Sequence, residues 1–304
     1  MSNRRTFLKQ SVLGCGALTL GLLPKELLAS GEFVKLTVMH TNDIHYHIDP
    51  FPADHAEFPG KGGLVRLASI INQCRKENPN LLLLDGGDMF QGTPYFNFFK
   101  GELIVKLMSQ IGYEAGTLGN HEFDNGLGDI LAAVKSAKFP LVNSNYDFSD
   151  TILSGFVKTH HIIKKAGLKI GIYGLGVELY GLVTKKNYDK TRFLDPVETA
   201  LKMEQLLKKD HHCDLVICLS HQGYSYKDEQ ISDVSLAPQT KYTDMIVGGH
   251  THTFLEKPTI LKNANGNPIV VNQSGWAALS VGKVDFLFDR SGKIKEPIAV
   301  INDL

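Results

Sequence analysis

The sequence predicts an α/β fold in which two sheets pack face to face with helices on their outer sides. Short, continuously apolar runs such as Leu81–Leu84 and Leu215–Leu219 read as strands buried on both faces. Through the first half of the chain such runs alternate with segments of helical periodicity, and the last part is strand after strand with turn signals between. At 304 residues and 43% hydrophobic content the chain is long enough for one large core.

The elements follow in order. Phe33–His40, rich in Val, Leu and Thr, predicts the first strand. Gly63–Lys76 places Leu64, Leu67, Ala68 and Ile71 at helical spacing. Asn80–Asp85 is a four-leucine strand, and Lys100–Ile111 a helix with Leu103, Ile104, Leu107 and Met108 on one face. Tyr113–Leu118 predicts a strand, Asn125–Ala137 a helix burying Leu127, Ile130, Leu131 and Val134, and Pro140–Asn143 a further strand. His160–Lys165 and Leu168–Leu175 flank Ala166-Gly167, a hairpin signal. Asp195-Pro196 opens a helix running to Asp210, with an N-cap followed by Pro at the first position. Leu215–Leu219, Met245–Val247, Thr259–Leu261, Ile269–Asn272, Leu279–Phe288 and Lys293–Val300 complete the strands.

Residues 1–30 stand apart. Asn3-Arg4-Arg5-Thr6-Phe7-Leu8-Lys9 precedes a short apolar run from Ser11 to Leu23, which reads as a secretory signal of twin-arginine type, cleaved near Ala29-Ser30. The expected destination is the periplasm or another exported location, with residues 31–304 as one domain. The run is too short and Gly-rich for a membrane span, and too little apolar sequence precedes Cys15 for a lipid anchor there. Cys74, Cys213 and Cys218 form no Cys-x-x-Cys pair, so the scaffold does not depend on disulfides. A net charge of +0, from 32 basic and 32 acidic residues, gives no basic face for a nucleic-acid polymer.

Five strand-like runs end by delivering polar side chains: Asp43-Ile44-His45, Gly87-Asp88, Gly119-Asn120-His121-Glu122, Ser220-His221 and Gly249-His250-Thr251-His252. Open α/β sheets place ligands beyond the carboxyl ends of their strands, so these side chains are expected to converge. If the chain stays extended, Asp43 and His45 face one way and Ile44 the other, and His250 and His252 alternate likewise. Carboxylate, imidazole and amide donors without thiolate suit Mn, Zn, Fe or Co. Taken singly, each residue has a plainer role: Asp85 and Asp88 as turn residues, Asn120 and Asp124 as helix caps, Asn143 and Asn145 as strand ends. His160-His161 and His211-His212 read as solvated, His47 and His55 lie in a Pro-rich loop, and Trp276 reads more readily as a core residue than as a cleft wall.

Asp-x-His, Gly-Asp-x-x-x-Gly (Gly87 to Gly92), Gly-Asn-His-Glu (Gly119 to Glu122), His221 and Gly-His-Thr-His (Gly249 to His252), in this order, resemble the calcineurin-like metallophosphoesterases. The fuller text of Gly86 to Pro94 and Leu118 to Asp124 is similar to the 5′-nucleotidase branch, and the resemblance runs from about Leu36 to about Phe288. It implies a four-layer α/β/β/α sandwich with two packed mixed sheets. It implies that Asp43, His45, Asp88 and His252 hold one divalent metal ion and Asp88, Asn120, His221 and His250 a second, with Asp88 bridging. His121 would stabilise charge on the phosphate or protonate the leaving oxygen, and Asp124 would orient it. The implied activity is hydrolysis of a nucleotide or other small phosphate ester by an activated water, whose pKa two metals lower from about 15.7 toward ~7. The same centre supports cyclic-nucleotide or other phosphodiesters. Members of this branch usually carry a C-terminal domain that supplies base and phosphate contacts, so a separate specificity chain, or a noncatalytic metal-dependent module, are the readings from another class.

Overall fold

The computed structural model of the chain describes residues 33–289 and 291–303. The signal segment 1–30 and Cys15 lie outside the described residues. The elements are β1 (Phe33–Thr41), α1 (Leu64–Glu77), β2 (Leu81–Asp85), α2 (Pro94–Phe99), α3 (Glu102–Ile111), β3 (Ala115–Thr117), α4 (Leu127–Ser136), β4 (Leu141–Val142), β5 (Tyr146–Asp147), β6 (His160–Lys165) and β7 (Leu168–Gly176). They continue with α5 (Lys185–Tyr188), β8 (Arg192–Phe193), α6 (Pro196–Gln205), β9 (Leu215–His221), α7 (Asp233–Leu236), β10 (Met245–Val247), β11 (Thr259–Lys262), β12 (Pro268–Asn272), β13 (Ser280–Asp289) and β14 (Ile294–Asp303).

Two six-stranded sheets form, in the orders β14-β13-β1-β2-β3-β4 and β11-β12-β10-β9-β7-β6. Both are mixed. β1 to β4 run parallel, as do β7, β9, β10 and β12, while β14, β11 and β6 pair antiparallel at edges. Between the sheets lies an apolar layer in which Val38, Leu82, Leu84 and Phe286 meet Ile172, Ile217, Leu219 and Val247. The outer face of the first sheet packs on Leu67 and Ile71 of α1, Ile104 and Met108 of α3, and Ile130 of α4. The outer face of the second packs on Ala200 and Met203 of α6 and on Leu236 of α7. The expected four-layer α/β/β/α sandwich is therefore present, and each parallel strand reads as apolar throughout because both its faces are covered.

Local chemistry sets several boundaries. Ala166 and Gly167 take φ of 57° and 77°, the paired left-handed residues of a two-residue hairpin turn between β6 and β7. The Asp195 carboxylate accepts from Glu198 N at 2.8 Å, capping α6 ahead of Pro196. The helix predicted to run to Asp210 changes pitch over Leu206–Asp210, where His211 N donates to Leu206 O five residues back. Asn120 and Asp124 flank a short 3-10 helix, His121–Phe123, at its two cap positions, but the Asn120 side chain makes no capping bond, and α4 begins separately after Gly126.

Candidate metal centre

The parallel strands of both sheets end on a common side, and the polar residues that follow them meet there. Asp43 and His45 follow β1, Asp88 follows β2 and Asn120 follows β3; His221 closes β9, and His250 and His252 follow β10. Six of these residues form two clusters, Asp43–His45–His252 and Asp88–His221–His250, within each of which the candidate ligand atoms lie within 4.8 Å of one another. Each cluster draws on both sheets, so neither can assemble until the sheets have packed together.

The clusters abut. Asp88 Oδ2 is 3.0 Å from His221 Nε2 and 3.9 Å from His45 Nε2, and Asp43 Oδ1 is 3.4 Å from His252 Nε2 and 3.9 Å from His221 Nε2. Both carboxylates thus lie between the histidines of the two groups. Asn120 is buried with Oδ1 lacking a hydrogen-bond partner, and the neighbouring amide of His121 donates to Asp88 Oδ1 at 2.9 Å.

The extended geometry expected for these strand ends is not what forms. Asp43, His45, Asp88, His250 and His252 have φ of 50°, 48°, 55°, 73° and 51°. Left-handed backbone is uncommon outside glycine and concentrates where the surrounding structure holds a functional site. Coiling rather than extension brings the side chains inward, while Ile44 still enters the core. Backbone bonds hold the coil, with Asp43 N on Gly87 O at 2.8 Å and His45 N on Asp88 O at 3.0 Å. Close approach also requires Gly119: a Cβ there would sit 2.2 Å from Asp88 Oδ1 and 2.6 Å from His221 Nε2.

The donor set fits divalent ions. His45 Nδ1 contacts Phe90 O at 3.2 Å and His221 Nδ1 contacts Gly86 O at 2.8 Å. A carbonyl accepts only, so each Nδ1 carries the proton and each Nε2 presents a lone pair inward. His221 Nε2 makes no hydrogen bond in its buried site, and His45 Nε2 faces His252 Nε2 at 3.0 Å. Lone pairs converging on two carboxylates need positive charge between them. Burial opposes the His221 imidazolium, yet Asp88 and Asp43 draw its pKa up to about 10. Burial likewise disfavours the Asp88 carboxylate, but the charge of His221, with His45 and His121, holds its pKa below the usual range. His250 goes the other way, lowered to about 4 by burial and by neighbouring His221.

His121 stands beside this centre, its ring 5.2 Å from that of His45. Its Nδ1 pairs with Asp124 Oδ2 at 2.8 Å, which leaves Nε2 to face outward chemistry. Burial works against its proton, but the Asp124 hydrogen bond and the Asp88 charge raise the pKa to about 9.

Several contributing residues have roles that the sequence pattern does not assign. Glu122 is fully buried and its carboxylate accepts four backbone amides: Met89 N at 2.7 Å and Phe90 N at 3.1 Å on Oε1, Asp88 N at 3.0 Å and Gly119 N at 2.6 Å on Oε2. It ties the loop after β2 to the loop after β3. Asn42 Nδ2 donates to Asp43 Oδ2 at 2.7 Å, and the Gln273 amide bridges Gly249 O and the Thr251–Thr253 turn. Trp276 is not a core residue: partly exposed, it stacks on His252 with ring centres 5.6 Å apart and planes within 8°. His47 meets the same indole edge-on at 5.4 Å, with Phe51 and Phe58 around it. Cys74, Cys213 and Cys218 are free thiols, the last two buried.

A fold of two packed mixed sheets with polar residues from both gathered at their strand ends defines a class, and comparison with known proteins names it. The calcineurin-like phosphoesterase model matches residues 36–254, and the chain belongs to that family. Proteins of this family bind two divalent metal ions, and the two clusters here fit two. The chain is 33% identical over 287 residues to a snake venom 5′-nucleotidase of Gloydius brevicauda, covering 88% of this chain and 47% of that one. It is 31% identical over 294 residues to the 5′-nucleotidase of Rattus norvegicus, covering 90% and 49%. It is 32% identical to the trifunctional nucleotide phosphoesterase YfkN of Bacillus subtilis, covering 86% of this chain and 18% of that protein. Among solved structures, a 5′-nucleotidase precursor from Thermus thermophilus superposes with a TM-score of 0.81 at 31% identity, over 89% of this chain and 54% of that one. The chain spans about half the length of most of the curated relatives it matches. Among the described residues no helix is long and apolar enough to cross a membrane.

Proposed function

We propose that the protein is a dimetal phosphomonoesterase of 5′-nucleotidase type. The observation that carries this reading is the pair of abutting clusters with the His121–Asp124 pair, at 2.8 Å, beside them. Asp43, His45 and His252, with Asp88, would hold one ion, and Asp88, Asn120, His221 and His250 would hold the other, with Mn, Zn, Fe or Co as the candidates for this donor set. When bound, such ions supply Lewis-acid polarisation of phosphate oxygens and an acidified attacking water. The chain's own residues do the rest. His121, protonated at neutral pH, presents Nε2 to the phosphoryl group and gives its proton to the leaving oxygen. Asp124 fixes the imidazole tautomer and stabilises its charge. Trp276 holds the exposed ring of His252 in place.

Diesters remain the second reading because the same donor set supports both chemistries, and the likeness to a trifunctional nucleotide phosphoesterase keeps more than one nucleotide ester in range. The motif at residues 3–9 supports export by a twin-arginine signal spanning residues 1–30. The test is hydrolysis of AMP, an aryl phosphate and a panel of diesters by metal-loaded protein, beside His121→Ala. The proposal expects turnover that falls roughly 10²–10⁴-fold in the variant. A wild type inert on every phosphate ester contradicts it.

A further inference from the structure

The two clusters differ in what covers them. In Asp43–His45–His252 the side chain of His252 is 38% exposed, against 6% for His45 and none for Asp43. Its cover is the chain's single tryptophan, Trp276, stacked on it at 5.6 Å with the planes within 8°. In Asp88–His221–His250, among the described residues, the one ring packed on His250 is that of His221, itself a member of the cluster.

Trp276 is in turn gripped from the outside. His47, Phe51 and Phe58 meet the indole edge-on, with ring centres at 5.4, 5.7 and 6.5 Å. All three belong to the loop of residues 47–63 between β1 and α1. That loop closes on itself: Phe51 N donates to Lys61 O at 2.8 Å and Gly60 N to Pro52 O at 3.2 Å, while the Phe51 ring packs on His55 and Phe58. Its base is tied to the turn that carries Trp276. Gly63 N donates to Ala277 O at 3.1 Å, and Ala277 N donates to Asp43 O at 2.8 Å. Asn42 holds the same turn from the end of β1, donating from Nδ2 to Gly275 O at 2.7 Å and accepting from Ser274 N at 2.8 Å. Ala277 and Ala278 both have φ of 53°, a left-handed backbone that alanine keeps only where its surroundings impose it. Ala277 alone therefore joins the backbone of a candidate ligand to the base of the aromatic loop.

We infer that Trp276 and the loop of residues 47–63 form a latch on His252, so that the ion of the Asp43–His45–His252 group exchanges only when the latch opens. The inference rests on the dimetal reading above and goes beyond it in treating the two ions unequally. An exposed imidazole lets go of an ion by rotating its side chain away. Rotation of His252 breaks its stack on the indole, and the indole cannot follow it unless the loop rings give way. His250 carries no ring of this kind from outside its cluster. Trp276 is thus a positioning residue for His252, and Phe51 and Phe58 act through it.

The experiment follows the release of Zn from protein carrying two equivalents into an excess of chromophoric chelator, with thermal midpoints to confirm that each variant is folded. Trp276→Ala is expected to speed the release of one of the two ions about 3–10-fold, the worth of one aromatic pair, and to leave the other unchanged. Trp276→Phe, which keeps a flat ring, should stay close to wild type. Phe51→Ala, whose ring contacts include no candidate ligand, should speed the same ion, and the double variant should add little to Trp276→Ala alone. In a His252→Ala background, expected to hold one ion, Trp276→Ala should change nothing. Equal acceleration of both ions, no acceleration, or a Phe51→Ala rate equal to that of wild type overturns the inference. A wild type that retains two ions and hydrolyses AMP shows that the dimetal reading stands when this one falls; a wild type that retains none removes both.

Discussion

His221 Nε2 lies 3.0 Å from Asp88 Oδ2, yet its ring proton is committed to Gly86 O on the other nitrogen. A neutral ring would set a lone pair against a carboxylate in a buried site, so the pair needs positive charge, either a second ring proton, which the pKa of about 10 allows, or a metal ion. Removal of metal with a chelator is predicted to destabilise the fold. The loss is about 2.7 kcal/mol per site for an ion present at 100 times its Kd, or several degrees in Tm. Differential scanning calorimetry with and without chelator, followed by re-addition of Mn or Zn, measures it; identical transitions contradict the prediction.

Glu122 touches no candidate ligand side chain, but it holds the amides of Asp88, Met89, Phe90 and Gly119. Glu122→Gln keeps the shape, removes a buried charge and turns an NH₂ group toward two donors. The expected result is a loss of metal affinity of about 10–100-fold, in the range for residues that support ligands without binding the ion. Isothermal titration of each variant with Mn reads it directly.

Asp124 acts only through His121, to which it is hydrogen bonded at 2.8 Å. Asp124→Asn is predicted to lower kcat by about tenfold or more with KM little changed, while His121→Ala loses roughly 10²–10⁴-fold. Steady-state kinetics on an aryl phosphate test the order of the two losses. Because the residues work as one unit, the double variant is expected to resemble His121→Ala alone.

His40, at the centre of β1, is fully buried; Nδ1 has no partner and Nε2 lies 2.9 Å from Asn272 Nδ2. Burial lowers its pKa from 6.5 to about 3. The folded state then binds fewer protons than the unfolded chain between these values. The stability of neutral His40 is fully present above pH 6.5 and is lost as pH falls toward 3, at up to about 1.4 kcal/mol per pH unit. His40→Gln should flatten that slope by the same amount, as urea melts across pH 4 to 7 would show.

Most of the fold is legible in the sequence, because strands covered on both faces carry continuous apolar runs and leave few polar residues to sort. The same economy exposes Asp43, His45, Asp88, His221, His250 and His252: a polar group just past such a run has nowhere to go but the sheet edge. Two-residue strands such as β5 and β8, and the single-turn helices α5 and α7, have no periodicity to read. The left-handed backbone at Asp43 and His250 is hidden because glycine, its usual sign, is absent at those positions. Glu122 is hidden for another reason. Its partners are backbone amides, which look alike at every position, and only the folded loops bring four of them to one carboxylate. Residue type alone assigns Trp276 to the core, while its stacking on His252 depends on a loop whose path no pattern dictates.

Two ions, gripped by residues from both sheets, are what would make this chain a phosphomonoesterase. The most direct measurement is the rate of AMP hydrolysis by metal-stripped protein as Mn or Zn is added in known equivalents. Activity is predicted to climb and saturate near two equivalents per chain, with Asp88→Ala inactive at any loading. Saturation at one equivalent, or no hydrolysis at any metal content, would contradict it.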